Sequence, residues 1–298
     1  MCGLLLINKP AGITSFGAVA RVRKLTGEKH IGHTGTLDPM ASGVLPVLIG
    51  RATKLCDYIL CADKSYTARV RLGLSTDTLD ITGKVTKTAE VNVTNEQIKK
   101  VLGSFMGETE QVPPMFSAIK KDGVRLYSIA RRGGSVEIPP RKITVFSVKR
   151  ESDIDENNEF SFSCTVSKGT YIRALVRDIG ERLGVPAVLT ELVRTKTAGF
   201  DISDCVPLDA LDKDNITGYI LPASRAADGF TSVNVTAAQA FRFSNGGSLS
   251  FDRLPRKNYK SGETVSVYHN SEFLGLALAD TQNSALKFCC IINPVGKV

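Results

Sequence analysis

The sequence predicts an α+β fold: a mixed, largely antiparallel sheet flanked by helices, then a small mostly-β module. Three observations lead there. Strand-period and helix-period segments interleave without the regular strand–helix–strand alternation of a parallel α/β protein. The chain has 298 residues and an ordinary apolar content of 42%, which suits one large domain and a small one. Periodicity weakens from about 204 to 230, where Pro207, Pro222 and Gly229 fall, and then resumes as strands. We therefore expect a main domain over 1–228 and a C-terminal module over 229–298, with a linker or boundary near 204–230.

The elements follow in chain order. Gly3 to Ile7 is a short apolar run and reads as a buried strand. Ser15 is placed to cap a helix carrying Phe16, Val19 and Val22, which Gly27 stops. Tyr66, Ala68, Val70 and Leu72 alternate with polar residues, as a half-buried strand requires. Thr94 and Gln97 have capping-box spacing ahead of Ile98, Val101, Leu102 and Phe105. Residues 111–143 are rich in Pro, Gly, Lys and Arg and carry only a possible short helix near Tyr127–Arg132, so they read as a basic excursion from the fold. Phe160, Phe162, Cys164 and Val166 alternate along a strand. After Lys168-Gly169 a helix shows Ile172, Leu175, Val176, Ile179 and Leu183 on one face and ends at Gly184. In the C-terminal module, Thr236 and Gln239 open a helix that Gly246-Gly247 closes. Strands follow at Val265–Tyr268, Phe273–Ala279 and Leu286–Ile292.

The net charge of +8 favours a polyanionic partner, and the absence of Trp argues against a broad base-stacking platform. The seven cysteines (Cys2, Cys56, Cys61, Cys164, Cys205, Cys289 and Cys290) are odd in number and lack C-x-x-C spacing. They read as buried free thiols of a reducing compartment. Three histidines without Cys/His spacing argue against a zinc site. No run approaches a membrane span or a signal segment, so a cytoplasmic location is expected. Nucleotide, flavin and metalloprotease fingerprints are missing, so no cofactor and no metal are expected.

The densest group of special residues is Gly32-His33-Thr34-Gly35-Thr36-Leu37-Asp38-Pro39-Met40-Ala41-Ser42-Gly43. Its glycines permit close backbone approach to a ligand, and Pro39 restrains Asp38 toward extended geometry. Asp38 either serves chemistry there or merely turns the chain. Asp77 and Asp80 are a second pair of carboxylates and read best as a solvated turn with Asx hydrogen bonds. Arg173 lies in the first turn of its helix, where a cation is disfavoured, so it either has an anionic partner or shares a solvated basic face with Arg177. His30 and His33 flank the Gly-rich loop.

Taken together these residues resemble the TruB-type tRNA pseudouridine-55 synthases. The resemblance runs through Asn8-Lys9-Pro10-Ala11-Gly12-Ile13-Thr14-Ser15 and Gly32 to Leu45. It continues through Lys64-Ser65-Tyr66, Gly73 to Gly83, and Gln111-Val112-Pro113-Pro114-Met115-Phe116-Ser117-Ala118-Ile119-Lys120. It ends with Ser167-Lys168-Gly169-Thr170-Tyr171-Ile172-Arg173 and Leu192-Val193-Arg194-Thr195. These motifs keep the family's order over about two-thirds of the chain. The resemblance implies that Asp38 is the essential aspartate, that Tyr66 packs on the target base and serves in proton removal, and that Arg173 pairs with the aspartate. It also implies that Leu192 and Tyr171 line the substrate pocket, that His33 fills the space left by the flipped uridine, and that Lys9 and Pro10 stand at the cleft edge. The 111–143 excursion matches a loop that closes over RNA, and the C-terminal module is similar to the family's PUA-type RNA-binding domain. The implied partner is the T-arm stem-loop of tRNA, with no guide RNA, no membrane and a monomeric enzyme.

Two positions depart from the pattern: Val166 stands where a Cys is expected, and Val193 where an Arg is. Two other readings compete: a non-catalytic RNA-binding factor, and a synthase guided by a separate RNA. Asp38 with Tyr66 disfavours the first as a sole role, and the 111–143 loop disfavours the second.

Overall fold

The computed structural model describes residues 1–59, 63–117, 119–121, 123–134 and 136–296. Cys61, and Ala118, Asp122 and Ser135 of the excursion, lie outside the described residues. In the first half the order is β1 (Gly3–Lys9), α1 (Ser15–Thr26), β2 (Ile31–His33), β3 (Ser42–Ile49), α2 (Cys56–Ile59), β4 (Lys64–Leu72), β5 (Leu74–Thr76), β6 (Val85–Thr88), α3 (Asn95–Gly103), β7 (Gly107–Gln111), β8 (Lys120–Lys121), β9 (Val124–Arg125) and α4 (Leu126–Arg131). Then come β10 (Arg141–Arg150), β11 (Glu159–Val166), α5 (Ile172–Leu183), β12 (Ala187–Thr197), β13 (Phe200–Asp201), β14 (Val206–Pro207), β15 (Thr231–Asn234), α6 (Ala237–Ser244), β16 (Leu249–Ser250), β17 (Thr264–His269), β18 (Glu272–Asp280) and β19 (Ala285–Ile291).

The main sheet runs β14-β1-β3-β12-β4-β11-β10-β7, with β2 and β13 added at β3 and β12. Its pairings are antiparallel except β1 with β14 and β3 with β12. This is the mixed, largely antiparallel α+β architecture expected. β1 is apolar on both faces because both are covered. Leu5 and Ile7 join the core under α1 and α5, while Leu4 and Leu6 face the other side of the sheet. β4 and β11 alternate as their sequences demand, each burying every second side chain. The amphipathic faces of α3 and α5 bury Ile98, Leu102, Leu175, Val176 and Ile179 against the same core. α3 has the full capping box of Thr94 and Gln97, and Gly184 ends α5 in the left-handed conformation.

The second sheet, β15-β17-β18-β19-β16, encloses its own core around Phe243, Val265, Val267 and Leu274. On the side toward β1 and β3, its Phe273, Leu276, Cys290 and Ile292 pack in one apolar cluster with Leu4, Leu6, Val44 and Leu48. Among the described residues no helix is long and apolar enough to cross a membrane.

The structure corrects several sequence expectations. The cap of α1 is Thr14, whose side chain accepts the Gly17 N–H, and Phe16 points into solvent. The 204–230 stretch is no linker: β14 pairs with β1, Leu4 exchanges backbone hydrogen bonds with Leu221, and Leu208, Leu211 and Ile216 are buried in the main core. Its short 3₁₀ turns carry no long period, which is why the sequence pattern fades there. Cys2 is exposed, not a buried thiol. Asp80 is no solvated turn residue; it is buried. The excursion is shorter than 111–143, because β7 ends at Gln111 and β10 begins at Arg141, and these two strands pair directly.

Candidate active site

β3 and β12 pair for only two residues, Ser42 with Val193 and Gly43 with Arg194. Beside this seam the sheet opens into a cleft of about 780 Å³. Asp38 enters it from the loop between β2 and β3, Tyr66 from β4, Leu192 and Arg194 from β12, and Tyr171 and Arg173 from the start of α5. Leu192 and Arg194 lie two apart on β12, so they share a face. Ala68 and Tyr66 are their register partners on β4 and share that face too.

The Asp38 loop is held from below. Ser15 makes a reciprocal pair with Leu37, its hydroxyl accepting the Leu37 N–H at 2.9 Å and donating to the Leu37 carbonyl at 3.1 Å. The Pro39 carbonyl accepts the Gly12 N–H at 2.8 Å and, more weakly, the Lys9 ammonium at 3.5 Å. Lys9 donates two shorter bonds, each of 2.8 Å, to the carbonyls of Pro10 and Ile13. Thus both flanks of Asp38 are tied to the segment after β1. The Lys9 ammonium is fully buried, and burial pushes its pKa down to about 8; Asp38 raises it and Arg194 lowers it further.

Asp38 meets Arg173 in a two-point fork. Nε donates to Oδ2 at 2.8 Å and Nη2 to Oδ1 at 3.1 Å. Two further N–H groups donate to the carbonyls of Thr78 and Phe116, both at 2.9 Å. Arg173 is 5% exposed at its side chain and Asp38 34%, so the cation is sealed while the carboxylate looks into the cleft. Asp80 stands 3.8 Å from Nη1 as a second negative charge. It is oriented by the Thr78 hydroxyl at 2.9 Å and the Thr82 N–H at 3.0 Å. Two carboxylates thus offset a cation placed at a helix N-terminus. α5 has no side-chain cap. Instead the Gln111 amide grips both backbone groups of Tyr171, accepting its N–H at 2.9 Å and donating to its carbonyl at 3.1 Å. The root of the basic excursion is therefore fastened to the helix that presents Arg173.

Tyr66 is almost wholly buried, and desolvation pushes its phenol pKa up while Arg194 pulls it down. Burial likewise raises the Tyr171 phenol, and burial with Arg194 nearby lowers the pKa of His33. His33 lines the cleft with its Nδ1 buried and unpartnered. Of the eight residues singled out from sequence, six (His33, Asp38, Tyr66, Tyr171, Arg173 and Leu192) line the cleft together. Lys9 and Pro10 do not; they lie behind the Asp38 loop, and Lys9 acts on backbone carbonyls. Val166 is a core residue of β11, and Val193 sits on the opposite face of β12 from Arg194.

Four contributors escaped the sequence reading: Ser15, Asp80, Gln111 and Arg194. For Arg194 a signal existed, a cation at the inward alternation position of a strand. For the other three nothing local marks the role, since each partner lies 20 or more residues away or is known only through Arg173.

Comparison with known proteins identifies the family. The model of the TruB family pseudouridylate synthase N-terminal domain matches residues 23–172, and that of the tRNA pseudouridylate synthase B C-terminal domain matches residues 173–223. The chain is 42% identical over 278 residues to tRNA pseudouridine synthase B of Clostridium kluyveri, covering 93% of this chain and 96% of that protein. It is 39% identical over 280 residues to the protein of the same name from Bacillus subtilis, covering 90% of each. Among solved structures, a chain of a Cbf5-Nop10-Gar1 complex superposes with a TM-score of 0.73 at 27% identity, covering 93% of this chain and 78% of that one. A chain of an archaeal box H/ACA sRNP Nop10-Cbf5 complex gives 0.74 at 24% identity, covering 98% and 86%, and supports the fold alone. With both family models matched and these relatives covered over nine-tenths or more of their length, the chain belongs to the TruB family of pseudouridine synthases.

Proposed function

We propose that this enzyme converts uridine-55 in the T loop of tRNA to pseudouridine, with Asp38 as its essential carboxylate. The observation that carries the reading is the Asp38–Arg173 fork, fixed in a cleft that Tyr66 and Leu192 also line. The family supplies the reaction class, and the names of the relatives supply tRNA.

A base inside a folded RNA loop must leave its stack to be reached, which costs a few kcal/mol. Tyr66 and Leu192 then receive the flipped uracil, stacking contributing roughly 1–3 kcal/mol. His33 occupies the space left in the loop, and Tyr171 closes the pocket wall. Asp38 acts ionised, held by Arg173. The N1–C1′ bond breaks, the uracil turns, and C5 bonds to C1′. The C5–H bond then breaks, its electron pair restores the ring double bond, Tyr66 takes the proton, and N1 gains a proton from solvent. Lys9 and Pro10 support the cleft edge by holding the Asp38 loop. No cofactor or metal enters these steps.

In this reading residues 1–228 form the catalytic domain, the excursion between β7 and β10 closes over the RNA, and 229–298 form a PUA-like RNA-binding domain. The enzyme works as a cytoplasmic monomer on the T-arm without a guide RNA. The test is tritium release from 5-tritiated uridine in a T-arm stem-loop, with no other RNA or protein present. Release by wild type and none by Asp38→Asn, with RNA still bound, is expected. Full release by the variant would remove Asp38 from the chemistry, and no release by either would replace catalysis on this stem-loop with binding alone.

A further inference from the structure

Tyr66 has a partner that the reaction as described does not use. Arg194 on β12 is its cross-strand register partner, both side chains line the same cleft, and the guanidinium charge draws the phenol pKa down against its burial. Arg194 is the largest fully buried side chain in the molecule's described residues. Its Nε donates to the Val44 carbonyl at 2.8 Å and its Nη2 to the Gly35 carbonyl at 2.9 Å. Among the described residues it makes no ion pair with a carboxylate. A buried cation without a counter-ion is an expensive arrangement.

The surrounding chain is shaped to accept it. A Cβ at Gly35 would stand 3.2 Å from the Arg194 guanidinium, and one at Gly43 only 2.2 Å from the Arg194 carbonyl oxygen. β12 also carries a register shift just after Arg194, a bulge of the kind that re-aims side chains beside active sites. Two carbonyl bonds alone do not call for a charge, because a neutral amide could donate both. Of the neighbours on which the charge acts, the phenol is the cleft-lining group whose ionised form it favours.

We propose that Arg194 is the positioning residue of Tyr66: it fixes the phenol oxygen in the cleft and supplies the positive charge that stabilises the phenolate which takes the C5 proton. This rests on the proton role given to Tyr66 above. The balance is simple. Tyr66 releases its proton to solvent, the phenolate oxygen forms an O–H bond with the C5 hydrogen, and the C5–H pair returns to the ring.

Other groups face this pair. Asp38 opposes phenol ionisation, and so does Cys164, the β11 register partner of Tyr66, whose thiol burial pushes up to about 12. Lys64 lies two residues before Tyr66 on β4. Lys9, His33 and Cys205 face Arg194.

The test places 3,5-difluorotyrosine, a near-isosteric and more acidic phenol, at position 66 and follows its ¹⁹F resonance with pH. Replacing the charge by Arg194→Gln should raise the ionisation midpoint by about one pH unit or more, a tenfold or greater change in the equilibrium. With the natural tyrosine at 66, Arg194→Gln should slow single-turnover tritium release by roughly 10²-fold while T-arm binding is kept. Difluorotyrosine should restore at least about tenfold of that loss. An unmoved midpoint in folded, RNA-binding Arg194→Gln would overturn the pairing. A moved midpoint with rates indifferent to fluorination would instead overturn the proton role of Tyr66 beneath it. Should Arg194→Gln not fold, Arg194→Lys keeps the charge and decides: a midpoint close to wild type supports the proposal. A rate loss beyond about 10²-fold at that unchanged midpoint overturns it.

Discussion

Arg173→Lys tests whether the fork, and not charge alone, makes Asp38 competent. The guanidinium makes four hydrogen bonds, two to Asp38 and one each to Thr78 and Phe116. A lysine ammonium offers a point charge and can hold one carboxylate oxygen, not both. Losing one charge-assisted bond to Asp38 forfeits about 1.5–3 kcal/mol of orientation, which converts to a rate loss of roughly 10- to 150-fold. Phe116 lines the open cleft, so water can replace the donor to its carbonyl and the stability loss stays near about 1–2 kcal/mol. Arg173→Met is the harsher comparison. It leaves Asp38 and Asp80 facing each other with no cation between them, and breaking such a pair costs about 3–5 kcal/mol. Asp38 is a third exposed, which places the figure at the lower end. Single-turnover tritium release on the T-arm stem-loop and urea denaturation read the two effects separately. The expected order is wild type, then Lys, then Met in both. Arg173→Met within tenfold of wild type would refute the argument that the fork orients the carboxylate.

Two further outcomes follow from the scaffold. Gly43→Ala should destabilise the protein by roughly 3 kcal/mol or more, since Gly43 has φ +105° and its added Cβ would collide with the Arg194 backbone. Near-wild-type stability by thermal melting would contradict that packing. Lys9, with a folded pKa of about 8 against 10.5 unfolded, gives a signed pH effect. Between those values the unfolded chain binds more protons, so the Lys9 contribution to stability grows as pH rises from about 8 to 10.5 and is lost as pH falls through 8. Relative to Lys9→Met, wild type should gain up to about 3 kcal/mol across that window and stay level below it. A relative loss there would overturn the depressed value.

Much of this protein was legible in its residues one stretch at a time. The strand at 64–72 and the helix at 172–183 declare themselves by period, and Thr94 with Gln97 marks a helix start, because side-chain spacing and capping act within a few residues. Asp38 and Arg173 stood out for a local reason too, a carboxylate in a glycine-rich loop and a cation at a helix N-terminus, and the family's ordered motifs tied them to one reaction. Their pairing spans 135 residues and exists only because β3 and β12 meet. Ser15 shows the limit from the other side. Its position fitted a helix cap, yet the fold gives that task to Thr14 and turns Ser15 onto Leu37. Asp80 looked like a solvent turn until tertiary packing buried it beside Arg173, and Arg194 became a partner of Tyr66 only through strand register. The sequence by itself determined the strongly periodic elements, the class of fold and the three residues Asp38, Tyr66 and Arg173. The tertiary structure decided which distant charges share a cleft, because long-range burial and register carry no signature in local spacing.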